Sequence, residues 1–237
     1  MANNCKLGIM QPYFFPYIGH FQVINAVDKY IVYDDVNYIN KGWINRNYIL
    51  VNGSASLFNL ILSDKSQNKL INEINVKHDS IDESKLLKTI SASYAKSPYY
   101  NEVFPIVKSI ITFEEKNLGL YLFNQYKVLC EYMKISTELV LSSSLNKENS
   151  LKGEDKILHI CKLMEAKEYY NAMGGWDLYH RDRFKEAGID LHFLKTNDNI
   201  KYKQFNNEFV SNLSVIDVMM FNDVEQIQYM LTQYALL

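Results

Sequence analysis

Cysteine is scarce and scattered in this chain of 237 residues. Cys5, Cys130 and Cys161 form an odd set at wide spacings, without a Cys-x-x-Cys pair or a cluster of histidines around them. A disulfide framework and a zinc site are therefore not expected, and the pattern favours a reducing compartment. No basic-then-apolar leader precedes the first strand signal, and no apolar run approaches about 18 residues. We expect a cytoplasmic protein without a membrane span.

An excess of either charge is also missing. Lys and Arg total 25 against 27 Asp and Glu, a net charge of -2, so no bulk attraction to DNA or to an anionic membrane is expected. The chain carries no Walker loop, no His-Glu-x-x-His motif and no compelling Ser-His-Asp or Cys-His order. What remains is an ordinary globular composition, 48% hydrophobic, in a chain long enough for one large core.

Short apolar runs alternate with helical patterns in both halves of the chain, which predicts an α/β fold. Predicted strands cover 5–10, 29–34, 72–76, 138–141, 168–171 and 189–194, with a hairpin of 48–51 and 56–62 around Asn52-Gly53. Predicted helices cover 21–27, 80–94, 102–111, 114–134, 154–164, 177–187, 213–221 and 224–234. We expect a mostly parallel, Rossmann-like sheet flanked by helices. An N-terminal half (1–79), a helical segment (80–135) and a C-terminal half (136–237) would form one compact domain.

The run GIMQPYFFPYIGHF (8–21) joins the first strand to the first helix. Gly19 before His20 would let a phosphate approach the helix N-terminus, where backbone N–H groups favour anions and the histidine could donate a hydrogen bond. The pair resembles half of the His-x-Gly-His signature of the adenylyl-transferring superfamily that includes pantothenate synthetase; Tyr17 stands where the first His would be. The alternative is a tight aromatic turn with a capping histidine.

A second polar stretch follows the second strand. Asp34 and Asp35 end it, where ribose or metal contacts are usual in such sheets, and alternation lets only one of them face a given pocket. Arg46 follows, between Asn45 and Asn47 and near Trp43. This group suits a phosphate, a carboxylate or a sugar ring, and the alternative is a buried Asp–Arg pair that fixes the loop.

Two turns of the C-terminal half could complete the site. Ser142, Ser143 and Ser144 follow a strand and could bind phosphate, although an N-cap is the simpler interpretation. Gly174 and Gly175 would let backbone approach a ligand, with Asp177 and Tyr179 starting the next helix; a plain turn is the alternative. The remaining histidines show no catalytic pattern.

Together these motifs resemble the WbqC-like protein family. The matching segments are IMQPYFFPYIGHFQVINAVD (9–28), YDDVNYINKGWINRN (33–47), SYAKSPYY (93–100), LSSSL (141–145), ILHICKLMEAKEYYNAMGGWDLY (157–179), FKEAGIDLHF (184–193), YKQF (202–205) and LSVIDVMMFN (213–222). The chain departs at His20, where Tyr is usual, and at Asn171-Ala172, where a Ser-Gly type pair is usual. The resemblance implies a role in O-antigen or other surface-polysaccharide sugar synthesis, where amino sugars are often N-acylated or N-aminoacylated.

We therefore expect an enzyme that forms an amide on the amino group of a nucleotide-linked deoxyamino sugar. The adenylyl-transfer resemblance would add ATP and Mg²⁺ to activate the acid. We expect Gln11, Gly19 and His20 to bind phosphates, and Asp34 or Asp35 to act as the general base or as a Mg²⁺ ligand. Arg46 would neutralise an anion, and Ser142–Ser144 would close over the nucleotide. Tyr13, Tyr17 and Trp43 would contact a sugar or a base. One alternative uses a preformed donor, an acyl thioester or aminoacyl-tRNA, without ATP. Another is a non-catalytic protein that binds a nucleotide sugar.

Overall fold

The computed structural model describes residues 4–206 and 208–237, and it has the expected α/β architecture. The strands are β1 (Cys5–Met10), β2 (Lys29–Val32), β3 (Arg46–Val51), β4 (Ser54–Asn59), β5 (Leu62–Ser63), β6 (Asn75–Val76), β7 (Glu138–Leu141), β8 (Ala166–Ala172), β9 (Asp190–Thr196) and β10 (Tyr234–Leu236). The helices are α1 (Ile18–Asn25), α2 (Ser80–Tyr94), α3 (Tyr100–Ile111), α4 (Leu118–Tyr132), α5 (Gly153–Leu163), α6 (Arg181–Glu186), α7 (Val215–Phe221) and α8 (Val224–Leu231). Short 3-10 helices cover Ile71–Glu73, Ser142–Ser144 and Met173–Leu178.

Six strands form the main sheet, in the order β10-β9-β8-β1-β2-β7. All neighbours are parallel except β10, which pairs antiparallel with β9 at one edge. The mostly parallel sheet predicted from the sequence is thus confirmed. Among the described residues, β3 with β4 and β5 with β6 form separate two-stranded antiparallel sheets.

Helices cover both faces of the main sheet. One apolar cluster packs α1, α7 and the middle helices on one face, and the other packs α5 and α6 on the opposite face. Successive residues of β1 face opposite sides of the sheet and so contribute to both clusters. Leu7 and Ile9 point into the second cluster, while Gly8 lies against Val23 of α1. A Cβ on Gly8 would come within 2.9 Å of the Tyr30 ring of β2, so glycine makes room for that ring against the sheet.

Some element bounds differ from the sequence prediction for local reasons. The helix α2 begins at Ser80 as predicted and is capped by Asp79, whose side chain accepts from the Ile81 and Asp82 N–H groups. The helix predicted over 177–187 is shorter in the structure, where α6 covers Arg181–Glu186. It begins later because Met173–Leu178 forms a separate 3-10 helix. The last predicted helix, 224–234, ends at Leu231, and the chain then forms β10.

The Asn52-Gly53 turn is confirmed, since both residues have positive φ (49° and 77°), as a type I′ hairpin turn requires. Within 4–206 and 208–237, none of the helices is long and apolar enough to cross a lipid bilayer.

Candidate functional site

The topological switch point of the sheet lies between β1 and β8. From β1 the chain proceeds through α1 to β2 on one side, whereas from β8 it proceeds through α6 to β9 on the other. Because such divergence opens a crevice outside the carboxyl ends of the strands, ligands of parallel α/β proteins bind there. Met10 and Ala172, at the ends of β1 and β8, line this crevice.

Two adjoining cavities of about 460 Å³ each occupy the crevice. The Trp43 cavity is lined by Met10, Tyr13, Pro16, Tyr17, His20, Trp43, Asn47, Tyr48, Ala55, Ala172, Gly174, Ser211, Asn212 and Leu213. The Gln11 cavity is lined by Ile9, Met10, Gln11, Tyr13, Tyr33, Ile39, Gly153, Glu154, Ile157, Asn171, Ala172, Gly174, Gly175, Leu178 and Tyr179. Among these described lining residues, Glu154 alone carries a charge. The cavities meet along Met10, Tyr13, Ala172 and Gly174.

The loop between β1 and α1 is held rigid by side chains from distant elements. The Gln125 amide of α4 accepts from the Phe15 N–H and donates to the Tyr13 carbonyl, both at 2.9 Å. The Asn47 amide of β3 donates to the Phe15 carbonyl at 2.8 Å. Phe15 has a φ of 40°, a left-handed conformation that is unusual for a phenylalanine. The loop is thus a preorganised wall of the Trp43 cavity.

Gly19 packs closely against two side-chain hydroxyls. A Cβ at this position would lie 2.2 Å from the Tyr17 hydroxyl and 2.4 Å from the Thr196 hydroxyl. The glycine therefore makes room for the Tyr17 side chain, which folds back over the start of α1. The phosphate-binding role of Gly19 stays a prediction, and the contact observed at this position is packing.

His20 is buried at the wall of the Trp43 cavity. Its Nε2 lies 2.7 Å from the Tyr30 hydroxyl and 3.0 Å from the Tyr126 hydroxyl. Its ring stacks on Tyr126, with centroids 5.4 Å apart. Burial lowers the pKa of His20 to about 3, so the imidazole is neutral at ordinary pH. This histidine cannot supply a positive charge to a phosphate.

Asp34 joins the end of β2 to the serine turn. Its Oδ1 accepts from the Ser143 N–H at 2.9 Å and its Oδ2 from the Ser143 hydroxyl at 2.6 Å. Burial raises the pKa of Asp34, and the two bonds from Ser143 partly offset this effect. The Ser144 hydroxyl donates to the Leu141 carbonyl, so the turn binds the protein itself.

Asp35 is paired with two lysines that the sequence prediction missed. Its Oδ2 lies 2.9 Å from Lys147 Nζ and 3.0 Å from Lys156 Nζ, and all three side chains are buried. Burial alone would raise the pKa of Asp35; the neighbouring Ser142 hydroxyl and the two ammonium groups outweigh it and hold that pKa below the usual value. Apart from this proximity to each other, which falls outside normal hydrogen-bond geometry, Asp35 Oδ1 and Ser142 Oγ have no hydrogen-bond partner among the described residues.

Neither aspartate lines either cavity among the described residues. The predicted acid–arginine group is not assembled either, because Arg46 donates to the Lys41 and Gly42 carbonyls and so closes its own loop. Asn45 is similarly occupied with Tyr38 and Leu60. Roles for Asp34, Asp35 and Arg46 as base, metal ligand or anion site stay predictions, and their observed contacts are structural.

Other predicted residues do face the cavities. Gln11 lines the Gln11 cavity, and its side-chain amide has no hydrogen bond to another described residue. Around Gly174 no atom lies within 4 Å of a Cβ position, which leaves its backbone open to a ligand, whereas Gly175 packs on Asn171. Tyr179 lines the Gln11 cavity, but Asp177 is exposed and lines neither cavity.

Several residues that shape the site could not be found from local sequence. Gln125 and Tyr126 lie on α4, about a hundred positions from the loop that they hold. Lys147 and Lys156 stand in an ordinary charged stretch. The pairing of β2 with β7 and the packing of α5 on the sheet bring them to Asp35. Tyr30 is an interior residue of β2, and its hydroxyl becomes informative only beside His20.

The fold and the two cavities define an α/β protein with a candidate ligand-binding crevice at the switch point of a mostly parallel sheet. The sequence profile of the WbqC-like protein family matches residues 11–229, and the chain belongs to this family. A protein of Mycobacterium tuberculosis (strain ATCC 25618 / H37Rv), named "Uncharacterized protein Rv1507c", is similar: it is 25% identical over 218 residues, covering 90% of this chain and 92% of that protein. No solved structure matches the chain significantly.

Proposed function

We propose that this protein transfers an acyl or aminoacyl group from an already activated donor to the amino group of a nucleotide-linked deoxyamino sugar. The observation that supports transfer is the pair of equal cavities that meet at Tyr13 beside the sheet's switch point. A reaction between two bound molecules needs two subsites in contact, so that the reacting atoms are held together. The acceptor class follows from the polysaccharide setting that the family resemblance implies.

The chemical character of the cavity walls supports this assignment. Tyr13, Tyr17, Trp43 and Tyr48 present aromatic faces, which suit sugar rings and nucleobases, and a few polar groups such as Gln11 and Asn47 lie among them. Ligand pockets are typically built in this way, with apolar walls and a small number of polar groups that fix orientation. The walls of the two cavities are therefore compatible with binding of a sugar.

ATP and Mg²⁺ fit these cavities poorly. Tyr17 packs over Gly19, where the adenylyl-transfer resemblance would place the phosphates of ATP. No group of three or more His, Cys, Asp and Glu side chains among the described residues is placed to bind a metal ion. We therefore derive no adenylation step and favour the preformed donor, an acyl thioester or an aminoacyl-tRNA.

The test is a mass-spectrometric survey with the purified chain. Nucleotide-linked amino sugars are incubated with acetyl-coenzyme A, longer acyl thioesters or aminoacyl-tRNA, and separately with free acids plus ATP and Mg²⁺. We expect the amide product to form over many turnovers with an activated donor and without ATP. Product that requires ATP and releases pyrophosphate would establish the adenylate route instead. Thermal stabilisation by a nucleotide sugar without product would indicate a binding protein and overturn the proposal.

A further inference from the structure

His20 sits at the cavity wall with one ring nitrogen occupied and one free. It is the third residue of α1 and lines the Trp43 cavity beside Tyr13, at a ring-centroid distance of 5.3 Å. Its Nε2 faces away, toward the Tyr30 and Tyr126 hydroxyls. Among residues 4–206 and 208–237, Nδ1 has no hydrogen-bond partner, and it is not among the fully buried unpaired atoms. Nδ1 is therefore the nitrogen open to the cavity.

The hydrogen bonds around Nε2 fix the tautomer. The buried Tyr30 hydroxyl has no other partner in the described chain, so its proton points to Nε2 at 2.7 Å. The Tyr126 hydroxyl accepts from the Tyr13 N–H at 2.9 Å, and its own proton has two acceptors within reach, His20 Nε2 at 3.0 Å and the Tyr13 carbonyl at 3.4 Å, of which Nε2 is the nearer. Because Nε2 is the only acceptor that the Tyr30 hydroxyl has among the described residues, Nε2 must accept. The single proton of this neutral imidazole therefore sits on Nδ1.

We propose that His20 donates its Nδ1–H to the carbonyl oxygen of the acyl donor, in the Trp43 cavity, as a neutral catalytic residue of the transfer. This inference rests on the proposed function. In the step, the sugar amine forms a C–N bond to the acyl carbon, and the carbonyl oxygen becomes an oxyanion that accepts from Nδ1–H. The oxyanion collapses as the C–S or C–O bond to the carrier breaks, and one amine proton passes through water to the leaving group. His20 keeps its proton throughout.

The surroundings make such a donor effective. A fixed N–H group stabilises developing charge strongly when it is oriented before the reaction and shielded from water. Here the ring is stacked on Tyr126 and bonded to two hydroxyls, so it needs no rearrangement. A neutral donor also retains its proton, whereas an imidazolium could lose it to the oxyanion or to the amine.

The enzymatic test compares His20→Asn with His20→Phe. The asparagine amide places an N–H near the Nδ1 position, whereas phenylalanine keeps a ring and removes both nitrogens. We expect kcat in His20→Phe to fall by about 10²–10³-fold with little change in KM, and His20→Asn to retain most of kcat. Thermal unfolding of both variants checks the fold. Wild-type kcat in a folded His20→Phe would overturn the inference and leave the proposed function standing.

A spectroscopic test does not depend on activity. Histidine labelled with ¹⁵N distinguishes a protonated ring nitrogen from an unprotonated one by chemical shift, and the His20→Asn spectrum identifies the His20 signals among the five histidines. We expect a protonated Nδ1 and an unprotonated Nε2, unchanged between pH 5 and 8. A proton on Nε2 would overturn the inference even if the survey finds no reaction. An absence of any amide product, with the expected tautomer, would overturn the proposed function and with it the catalytic role.

Discussion

Phe15 shows how individual polar residues determine the site. Its backbone adopts a φ of 40°, which a bulky residue rarely does without support. Support comes from Gln125 and Asn47, whose amides bond its N–H and its carbonyl. These buried amides do not themselves act on a ligand; they keep Tyr13 and Tyr17 at the cavity wall.

Replacing Gln125 with Met should therefore destabilise the protein strongly. The change keeps the side-chain length but leaves the buried Phe15 N–H without its partner, which costs about 1–3 kcal/mol for an unsatisfied buried group. We expect urea unfolding to show a loss of at least about 2 kcal/mol. The matched control is Gln67→Met at an exposed position, which should stay within about 0.5 kcal/mol of wild type. Equal effects of the two changes would contradict the role of Gln125.

Asp35 permits a second test at the residue level. In Asp35→Asn, Lys147 and Lys156 remain buried without a counter-charge, and breaking such a pair costs about 3–5 kcal/mol. The folded-state pKa of Asp35 is below its ordinary value of 3.8, so its contribution is full above that pH and is lost as the pH falls below it. The gap in unfolding free energy between wild type and variant should therefore narrow in acid.

Glu138→Gln is the control for this experiment. Glu138 pairs with Lys29 at 3.6 Å on the exposed edge of the sheet, where an ion pair contributes about 0–1 kcal/mol. If Asp35→Asn proved no more destabilising than Glu138→Gln, the three buried charges would not be coupled as the structure indicates.

Among the elements, the β3–β4 hairpin region brings an aromatic surface to the switch point. Trp43, just before β3, lines the Trp43 cavity and is 42% exposed; Trp176 is 44% exposed and lines neither cavity. Trp43→Ala should weaken binding of a nucleotide-linked amino sugar by about 1–3 kcal/mol through lost stacking. Trp176→Ala should leave affinity unchanged.

The two tryptophans also provide the measurement. They are the only two in the chain, so Trp176→Phe leaves Trp43 as the single tryptophan reporter of the cavity. We expect its fluorescence to change on titration with the nucleotide sugar, with the same affinity as wild type. An affinity that depends on Trp176 rather than Trp43 would place the ligand elsewhere.

Element positions were predictable where local sequence decides them. Continuous apolar runs predicted β1 and β2, and Asn52-Gly53 predicted the hairpin turn, because backbone preference and burial agree there. The strand β10 was missed, since Tyr234–Leu236 continues a helical pattern and becomes a strand only through its bonds to β9. Tertiary pairing outweighed local periodicity at that point.

Site chemistry was less predictable than the fold. The loop after β1 and Gly174, which the sequence singled out, do line the two cavities, but their roles stay predictions. The sequence could not show that Asp34, Asp35 and Arg46 satisfy partners within the protein, because those partners come from other elements. A polar residue beside a strand end has the same sequence signature whether it binds a ligand or a neighbouring loop.

In the whole molecule, the helical segment 80–135 is connected to the site through α4. Gln125 and Tyr126 bond the loop after β1, and Tyr126 also bonds His20. Residues of the N-terminal and C-terminal segments line the cavities, and the helical segment holds the loop after β1 in place, although the segment boundaries themselves stay predictions.

The bonds between α4 and the loop after β1 also bear on the order in which the protein folds. They join positions more than a hundred residues apart, so a long stretch of chain must be closed before they can form. The strands β1 and β2 and the helix between them can associate earlier through near neighbours. The crevice would then acquire its final shape late, and competence to bind a ligand would report completion of folding rather than an early native-like core.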